Sequence, residues 1–122
     1  MKTLLIVDDQ TGIRLLLNEV FTKEGFATRL AANGAEAMQS VAEVQPDCVL
    51  LDMKMPGIDG VEVLKRIKKD WPEIPVIMMT AYGEIDLTKD AMEHGAIRYF
   101  TKPFNIYEVR DAVLETINKT TR

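Results

Sequence analysis

The chain has 122 residues, of which 47% are hydrophobic and 28% are charged. One domain of ordinary globular composition accounts for this length, and the composition excludes a disordered, collagen-like or disulfide-scaffold protein. The formal net charge is −4, and no basic cluster of the kind that tracks a nucleic-acid backbone is present in the sequence.

Apolar runs and cysteine content predict a cytoplasmic protein. The longest apolar runs have four residues, whereas a helix needs about 20 to cross a membrane. The N-terminus lacks the cleavage site of a secretory signal, and the single Cys48 cannot form an internal disulfide. We therefore expect neither a membrane nor nucleic acid as a direct partner.

Strand-like and helix-like segments alternate along the chain. In chain order, the predicted strands are 3–7, 27–31, 47–51, 74–79 and 96–100, and the predicted helices are 11–24, 34–44, 59–69, 84–93 and 106–118. Three of the strands are continuous apolar runs, as expected for strands covered on both faces. This alternation predicts an α/β fold of the flavodoxin-like type, a doubly wound parallel sheet of five strands in the order 2-1-3-4-5.

The predicted helix ends carry local signals of their own. Asn33, Asp59 and Asn105 each stand where a helix should begin, with a glutamate three positions later that can complete the cap. Gly25 and Gly95 stand where helices should end, in positions that favour a left-handed backbone.

Acidic residues follow two strands that the predicted order makes neighbours. Asp8 and Asp9 come after the first strand, and Asp52 comes after the third. Ligands bind at the carboxyl ends of such sheets, so the three carboxylates should converge there. Like charges about 4 Å apart repel by roughly 4 kcal/mol at an effective dielectric constant near 20. A divalent cation relieves this repulsion, and ligands that are all oxygen favour Mg²⁺, with Mn²⁺ as an alternative.

Two further polar residues are predicted at the same edge. Thr80 follows the fourth strand and Lys102 follows the fifth, where a cis bond to Pro103 would direct the lysine side chain. The glycine-rich loops that bind free nucleotide phosphates are missing from the sequence, and paired acids would repel a bare phosphate. Asp52 is the candidate nucleophile toward a phosphoryl group, with Lys102 and Thr80 supplying a cation and a hydroxyl to its oxygens.

These segments, in this order, resemble the receiver domain of bacterial response regulators across essentially the whole chain. Within that family they are most similar to stand-alone phosphorelay receivers that act in sporulation initiation. The matching segments are Asp8-Asp9, residues 50–60 around Asp52, Thr80-Ala81 and Lys102-Pro103-Phe104. The resemblance implies one receiver domain over residues 1–122 without an output domain, and hence an output through another protein.

The resemblance also implies roles for individual residues. Asp52 would accept a phosphoryl group from a kinase phosphohistidine, in the manner of a phosphotransferase rather than a turnover enzyme. Lys102 and Thr80 would contact the phosphoryl oxygens. The implied ligands of Mg²⁺ are Asp8, Asp9, Asp52 and the backbone carbonyl of Met53.

Two positions leave alternatives open. Lys54 is either an ordinary exposed turn residue or a group that acts at the site, by its carbonyl on the metal or by limiting the access of water. Tyr99 occupies a position where we expect histidine in the sporulation receivers. It is either a half-buried aromatic at the edge of the sheet or a switch residue that turns inward as Thr80 moves toward the phosphoryl group.

The resemblance implies protein partners for a monomeric chain: sensor histidine kinases, a histidine phosphotransferase with a helical-bundle surface, and aspartyl-phosphate phosphatases. In the first helix, Ile13, Leu16, Leu17, Val20 and Phe21 have the spacing of a core-facing stripe, and Leu15 lies off it. The predicted docking surface comprises Gln10, Gly12, Ile13, Leu16, Tyr82, Pro103 and Phe104.

Three other functions compete with the relay. A chemotaxis-type switch would bind a target protein when Asp52 carries phosphate. A phosphatase of the haloacid dehalogenase type needs a second aspartate two residues after the nucleophile, where this chain has Lys54. A degenerate receiver would act only as a scaffold.

Overall fold

A computed structural model describes residues 1–81 and 83–120. Within these residues, strands and helices alternate throughout: β1 Thr3–Val7, α1 Thr11–Lys23, β2 Ala27–Ala31, α2 Gly34–Glu43, β3 Cys48–Asp52, α3 Gly60–Asp70, β4 Val76–Thr80, α4 Ile85–Glu93, β5 Arg98–Thr101 and α5 Ile106–Thr120. None of the helices in this described part of the chain has the length and apolar character to cross a membrane.

The strands form one parallel sheet in the order β2-β1-β3-β4-β5. This confirms the predicted fold class and strand order. The register pairs Asp52 of β3 with Met79 of β4, and Thr80 of β4 with Thr101 of β5. The carboxyl ends of the three strands therefore lie side by side.

A hydrophobic layer covers each face of the sheet, because alternate strand residues point to opposite sides. On β1, Leu5 and Val7 pack with residues of α2, α3 and α4, whereas Leu4 and Ile6 pack with residues of α1 and α5. All four side chains are fully buried. Burial on both faces explains why the strand sequence shows no alternation.

The predicted helix caps are present. The side chains of Asn33 and Asp59 accept hydrogen bonds from the backbone N–H groups three residues later, each over 2.9 Å. Asn105 instead accepts from the N–H of Tyr107, two residues later. Gly25 and Gly95 have φ angles of 93° and 105°, as their predicted places at helix ends require.

Some predicted boundaries differ by one or two residues. Asp47 lies before β3, where its carboxylate accepts a 2.8 Å hydrogen bond from the N–H of Thr3 and fixes the start of β1. Asp52 is the last residue of β3 rather than the first residue beyond it. Its backbone is therefore held by the sheet.

The core-facing stripe of α1 is narrower than predicted. Leu17 and Phe21 are fully buried, while Ile13 packs at the margin of the same core layer. Leu16 is 45% exposed and Leu15 is 55% exposed. Leu16 therefore lies outside the core despite its place on the predicted stripe, and its exposure is compatible with the predicted docking surface.

Candidate functional site

The ends of β1 and β3 bring three carboxylates together. Asp8 lies directly after β1 and is fully buried, Asp52 closes β3 and is 5% exposed, and Asp9 is exposed to solvent. One carboxylate oxygen of each lies within 4.8 Å of the others. This is close enough for all three oxygens to share one cation, and Asp9 leaves the cluster open to solvent.

Lys102 brings its ammonium group into this acidic cluster. Its Nζ lies 2.8 Å from Oδ2 of Asp8 and 3.5 Å from Oδ1 of Asp52. The lysine follows β5, its peptide bond to Pro103 is cis, and its backbone N–H donates to the carbonyl of Thr80 over 2.7 Å. The lysine is thus anchored to the end of β4 while its side chain reaches back to β1.

The turn between β1 and α1 holds Asp8 in place from several directions. Its backbone N–H donates to the carbonyl of Ala31 over 3.1 Å, and its Oδ1 accepts from the N–H of Gln10 over 2.8 Å. Nη1 of Arg14 donates to its carbonyl over 2.6 Å. Each carboxylate oxygen of Asp8 thus has a partner, Gln10 for Oδ1 and Lys102 for Oδ2, as buried charges generally do.

Burial and the repulsion between the clustered carboxylates raise the pKa of Asp52. Burial and the neighbouring charge of Asp8 raise the pKa of this carboxyl from 3.8 to about 7, and Asp9 adds to the effect, although Lys102 opposes it. A carboxylate whose ionised form is this unfavourable gains most from a cation at the same place. The donor set is entirely oxygen, which suits Mg²⁺.

The backbone after Asp52 runs close against the start of α3. The carbonyl of Met53 accepts a 2.9 Å hydrogen bond from the N–H of Gly60, and the N–H of Met53 donates to the carbonyl of Met79 over 2.8 Å. Met53 is buried, whereas Lys54 is exposed. The Met53 carbonyl therefore has one lone pair already engaged.

Gly60 is a site residue that sequence reasoning missed. A Cβ atom built on it would overlap the backbone carbonyl oxygen of Asp52. Only glycine allows α3 to begin this close to the acidic cluster. The available signal was a glycine directly after the helix-capping Asp59, in a position where the cap alone does not require it.

Thr80 lies beside the cluster and also faces a neighbouring groove. It is 2% exposed, and its hydroxyl makes a 3.4 Å hydrogen bond to the hydroxyl of Thr101. With Tyr99 and residues of α4 it lines a groove of about 510 Å³. The Tyr99 side chain is 48% exposed, so it points away from the core in this structure.

The predicted docking residues differ in their exposure to solvent. Gln10, Gly12, Leu16 and Pro103 are exposed, while Ile13 and Phe104 are half-buried. Tyr82 lies outside the described residues.

Comparison with known proteins places these features in one family. The sequence-family model of the response regulator receiver domain matches residues 4–114 of this chain. The sporulation initiation phosphotransferase F of Bacillus subtilis is 59% identical over 110 residues, which cover 90% of this chain and 89% of the relative. The chemotaxis protein CheY of the same organism is 39% identical over 96% of this chain and 95% of the relative.

Longer regulators and solved structures show the same relationship. The regulatory protein AtoC of Escherichia coli is 41% identical over 87% of this chain, which spans only 23% of that protein. The crystal structure of a receiver domain protein from Clostridium thermocellum superposes with a TM-score of 0.93 at 29% identity, over 99% of this chain and 98% of that one.

Proposed function

Because the chain belongs to the response regulator receiver domain family, we propose that it is a phosphorelay intermediate of sporulation initiation. It accepts a phosphoryl group on Asp52 from a sensor histidine kinase and passes it to a histidine phosphotransferase. The observation that carries this proposal is the nearly buried Asp52, with two further carboxylates and the Lys102 ammonium around it. The 59% identity to a sporulation phosphotransferase supports the relay over other receiver functions.

The transfer forms one bond to phosphorus and breaks another. An oxygen of Asp52 attacks the phosphorus of the kinase phosphohistidine, and the phosphorus–nitrogen bond breaks with its electron pair going to the imidazole nitrogen. The reverse displacement, by a histidine of the acceptor protein, regenerates the Asp52 carboxylate. Phosphoryl transfer of this kind needs mainly positioning and neutralisation of charge.

Lys102 and Thr80 supply the charge-stabilising groups of the chain itself. The Lys102 ammonium lies 3.5 Å from an oxygen of Asp52, so it is close to the oxygens of a phosphoryl group bound there. Thr80 is next to Met79, which is paired with Asp52 in the sheet. Its hydroxyl bonds Thr101 in this structure, and we propose that it moves toward the phosphoryl group and that Tyr99 turns inward as it does.

Asp8, Asp9 and Asp52 would hold Mg²⁺, or Mn²⁺ in its place. The backbone carbonyl of Met53 adds a further ligand through its free lone pair, and the carbonyl of Lys54 is the alternative. When bound, the cation would neutralise the carboxylates and the negative charge of the transferring phosphoryl group. The acids fit this role because their oxygens lie within 4.8 Å of one another.

The docking partners would be helical bundles that approach the mouth of the site. Exposed Leu16 and half-buried Ile13 present apolar surface on α1, the helix that follows Asp8 and Asp9 in the chain. Apolar surface near a reacting group can exclude water at a transient interface. Kinases, the phosphotransferase and aspartyl-phosphate phosphatases all need access to Asp52 and would share this surface.

A chemotaxis-type switch is the second candidate. It is favoured by the exposed Tyr99 and the groove of about 510 Å³ between α4 and β5, which a target protein could fill. The similarity to the chemotaxis protein extends over nearly the full length of both chains, but at 39% identity rather than 59%. The relay therefore stands first.

Phosphorylation of the purified chain tests the proposed acceptor. With Mg²⁺ and a phosphorylated sensor kinase, the wild-type chain should gain one phosphoryl group, and Asp52→Asn should gain none. Asp70→Asn, an exposed aspartate at the end of α3, is the matched control and should behave as wild type. Full incorporation by Asp52→Asn would overturn the assignment.

A further inference from the structure

The ammonium group of Lys102 is bound more closely to Asp8 and Gln10 than to Asp52. It donates to Oδ2 of Asp8 over 2.8 Å and to Oε1 of Gln10 over 3.1 Å, while Oδ1 of Asp52 lies at 3.5 Å. The lysine side chain is only 17% exposed. Its position beside the candidate acceptor is therefore set by two other residues.

Gln10 contacts both members of the ion pair between Asp8 and Lys102. Its backbone N–H donates to Oδ1 of Asp8 over 2.8 Å, and its side-chain oxygen accepts from Lys102.

The side chain of Gln10 is free for this contact because it does not cap α1. Gln10 occupies the N-cap position, yet within the described part of the chain its side chain makes no capping hydrogen bond. Glutamine is also not among the residues preferred at that position. The amide binds the lysine instead of the helix.

From this geometry we propose that Gln10 is a positioning residue, which holds the Lys102 ammonium beside Asp52 in the place where phosphoryl transfer needs it. The proposal rests on the proposed function of Asp52 and Lys102. Lysine has a long, flexible side chain, and fixing it costs conformational entropy. A third acceptor reduces the number of positions that the ammonium can occupy before the donor arrives, which is preorganisation of the site.

A substitution that keeps the size of Gln10 but removes its oxygen tests this role. In Gln10→Met, we expect the rate constant of phosphorylation by saturating acetyl phosphate with Mg²⁺ to fall about fivefold, as for loss of one hydrogen bond of ordinary strength. A small donor is used so that protein docking has no part in the rate. Gln39→Met is the matched control, since Gln39 is an exposed glutamine that bonds only Glu43 among the described contacts.

A second measurement follows Lys102 directly and needs no phosphorylation. ¹⁵N relaxation of the Lys102 ammonium should show a lower order parameter in Gln10→Met than in the wild type and in Gln39→Met. Slower phosphorylation together with a more mobile ammonium supports the proposal.

Two results would overturn the positioning role: an unchanged ammonium order parameter, or an unchanged rate with acetyl phosphate. If the acetyl phosphate rate is unchanged and only transfer from a protein kinase slows, Gln10 is a docking residue only. Absence of phosphate on Asp52 in the wild-type chain would instead refute the proposed function, and the relaxation measurement would still decide whether Gln10 restrains Lys102.

Discussion

Asp52 combines two properties that conflict in a folded protein. It is nearly buried, and it lies beside another buried carboxylate, so its pKa rises to about 7. Functional sites commonly keep such unfavourable charge arrangements at the expense of stability. Removing the charge should therefore stabilise the fold while abolishing phosphoryl acceptance.

The pH dependence of stability should show this conflict in the absence of divalent cations. The folded chain keeps the proton on Asp52 up to about pH 7, whereas the unfolded chain loses it near the ordinary value of 3.8. The folded state binds more protons in that window, so this carboxyl lowers the free energy of unfolding as the pH rises through it. Urea denaturation at a series of pH values measures the slope.

Asp52→Asn should flatten that slope and unfold at a higher urea concentration than the wild type at pH 7. Adding Mg²⁺ should stabilise the wild type more than the variant, because the cation binds the charged cluster. Equal slopes for the two proteins would show that the burial of Asp52 does not raise its pKa.

Removing the charge of Lys102 should strengthen Mg²⁺ binding and slow phosphorylation. In Lys102→Met, the carboxylates lose a competing positive charge at 2.8 Å and 3.5 Å, so Mg²⁺ should bind about tenfold more tightly. Phosphorylation should slow by at least about tenfold, because the phosphoryl oxygens lose a cation. Isothermal titration with Mg²⁺ and a phosphorylation time course measure the two changes, and weaker Mg²⁺ binding would contradict the assignment.

The sequence indicated these charged residues but not all of their contacts. Asp8, Asp9, Asp52 and Lys102 were predictable because each follows or ends a strand, and parallel strands place such residues at one edge. The hydrogen bond between Lys102 and Gln10 joins residues 92 positions apart. Whether the Lys102 ammonium lies closer to Asp8 or to Asp52 depends on side-chain geometry. No periodicity or spacing carries that information.

The junction of β3 and α3 should tolerate no side chain at its first helical residue. Gly60→Ala places a Cβ atom against the carbonyl oxygen of Asp52, and overpacking of this kind costs about 1 to 3 kcal/mol. The strand end or the helix must shift, so phosphorylation of Asp52 should also slow. Thermal unfolding and the acetyl phosphate assay measure both effects.

Gly12→Ala is the matched control for Gly60→Ala. A Cβ atom on Gly12, in the first turn of α1, meets no other atom within 4 Å. Alanine has the higher helix propensity, so this variant should be as stable as the wild type or slightly more stable. Similar destabilisation by both substitutions would argue against the close contact at Gly60.

Adjacent residues of α1 should separate folding from docking. Leu17 is fully buried and Leu16 is 45% exposed. Leu17→Ala should lower the free energy of unfolding by about 3 kcal/mol, while Leu16→Ala should change it by less than about 1 kcal/mol. If the surface around Leu16 docks the kinase, Leu16→Ala should raise the apparent KM for phosphorylated kinase and leave the acetyl phosphate rate unchanged.

For the helices and strands, the sequence predicts type better than boundary. Apolar runs located β1, β3 and β4, and capping residues located the starts of α2, α3 and α5, since burial on both faces and capping leave local traces. The stripe on α1 was drawn too wide because spacing shows which residues share a helix face but not how much of that face the neighbouring helix covers. Leu16 lay on the predicted stripe and outside the actual one.

The overall fold was predictable because several independent signals agree. Alternating elements require crossover connections, crossovers require a parallel sheet, and such a sheet places its functional residues at the carboxyl ends of the strands. The structure has the predicted strand order, and its acidic cluster lies at that edge. These signals do not predict the partner proteins, because the protein that a docking surface binds depends also on the surface of that protein.

Onward transfer is the measurement that tests the relay most directly. The chain is first labelled on Asp52 with radioactive phosphate by a sensor kinase, purified away from it, and mixed with a helical-bundle histidine phosphotransferase and Mg²⁺. The relay predicts that the label moves to a histidine of the acceptor, and that an acceptor without this histidine receives none. Loss of the label only to water, while the phosphorylated chain binds a target protein, would contradict the relay and establish the switch.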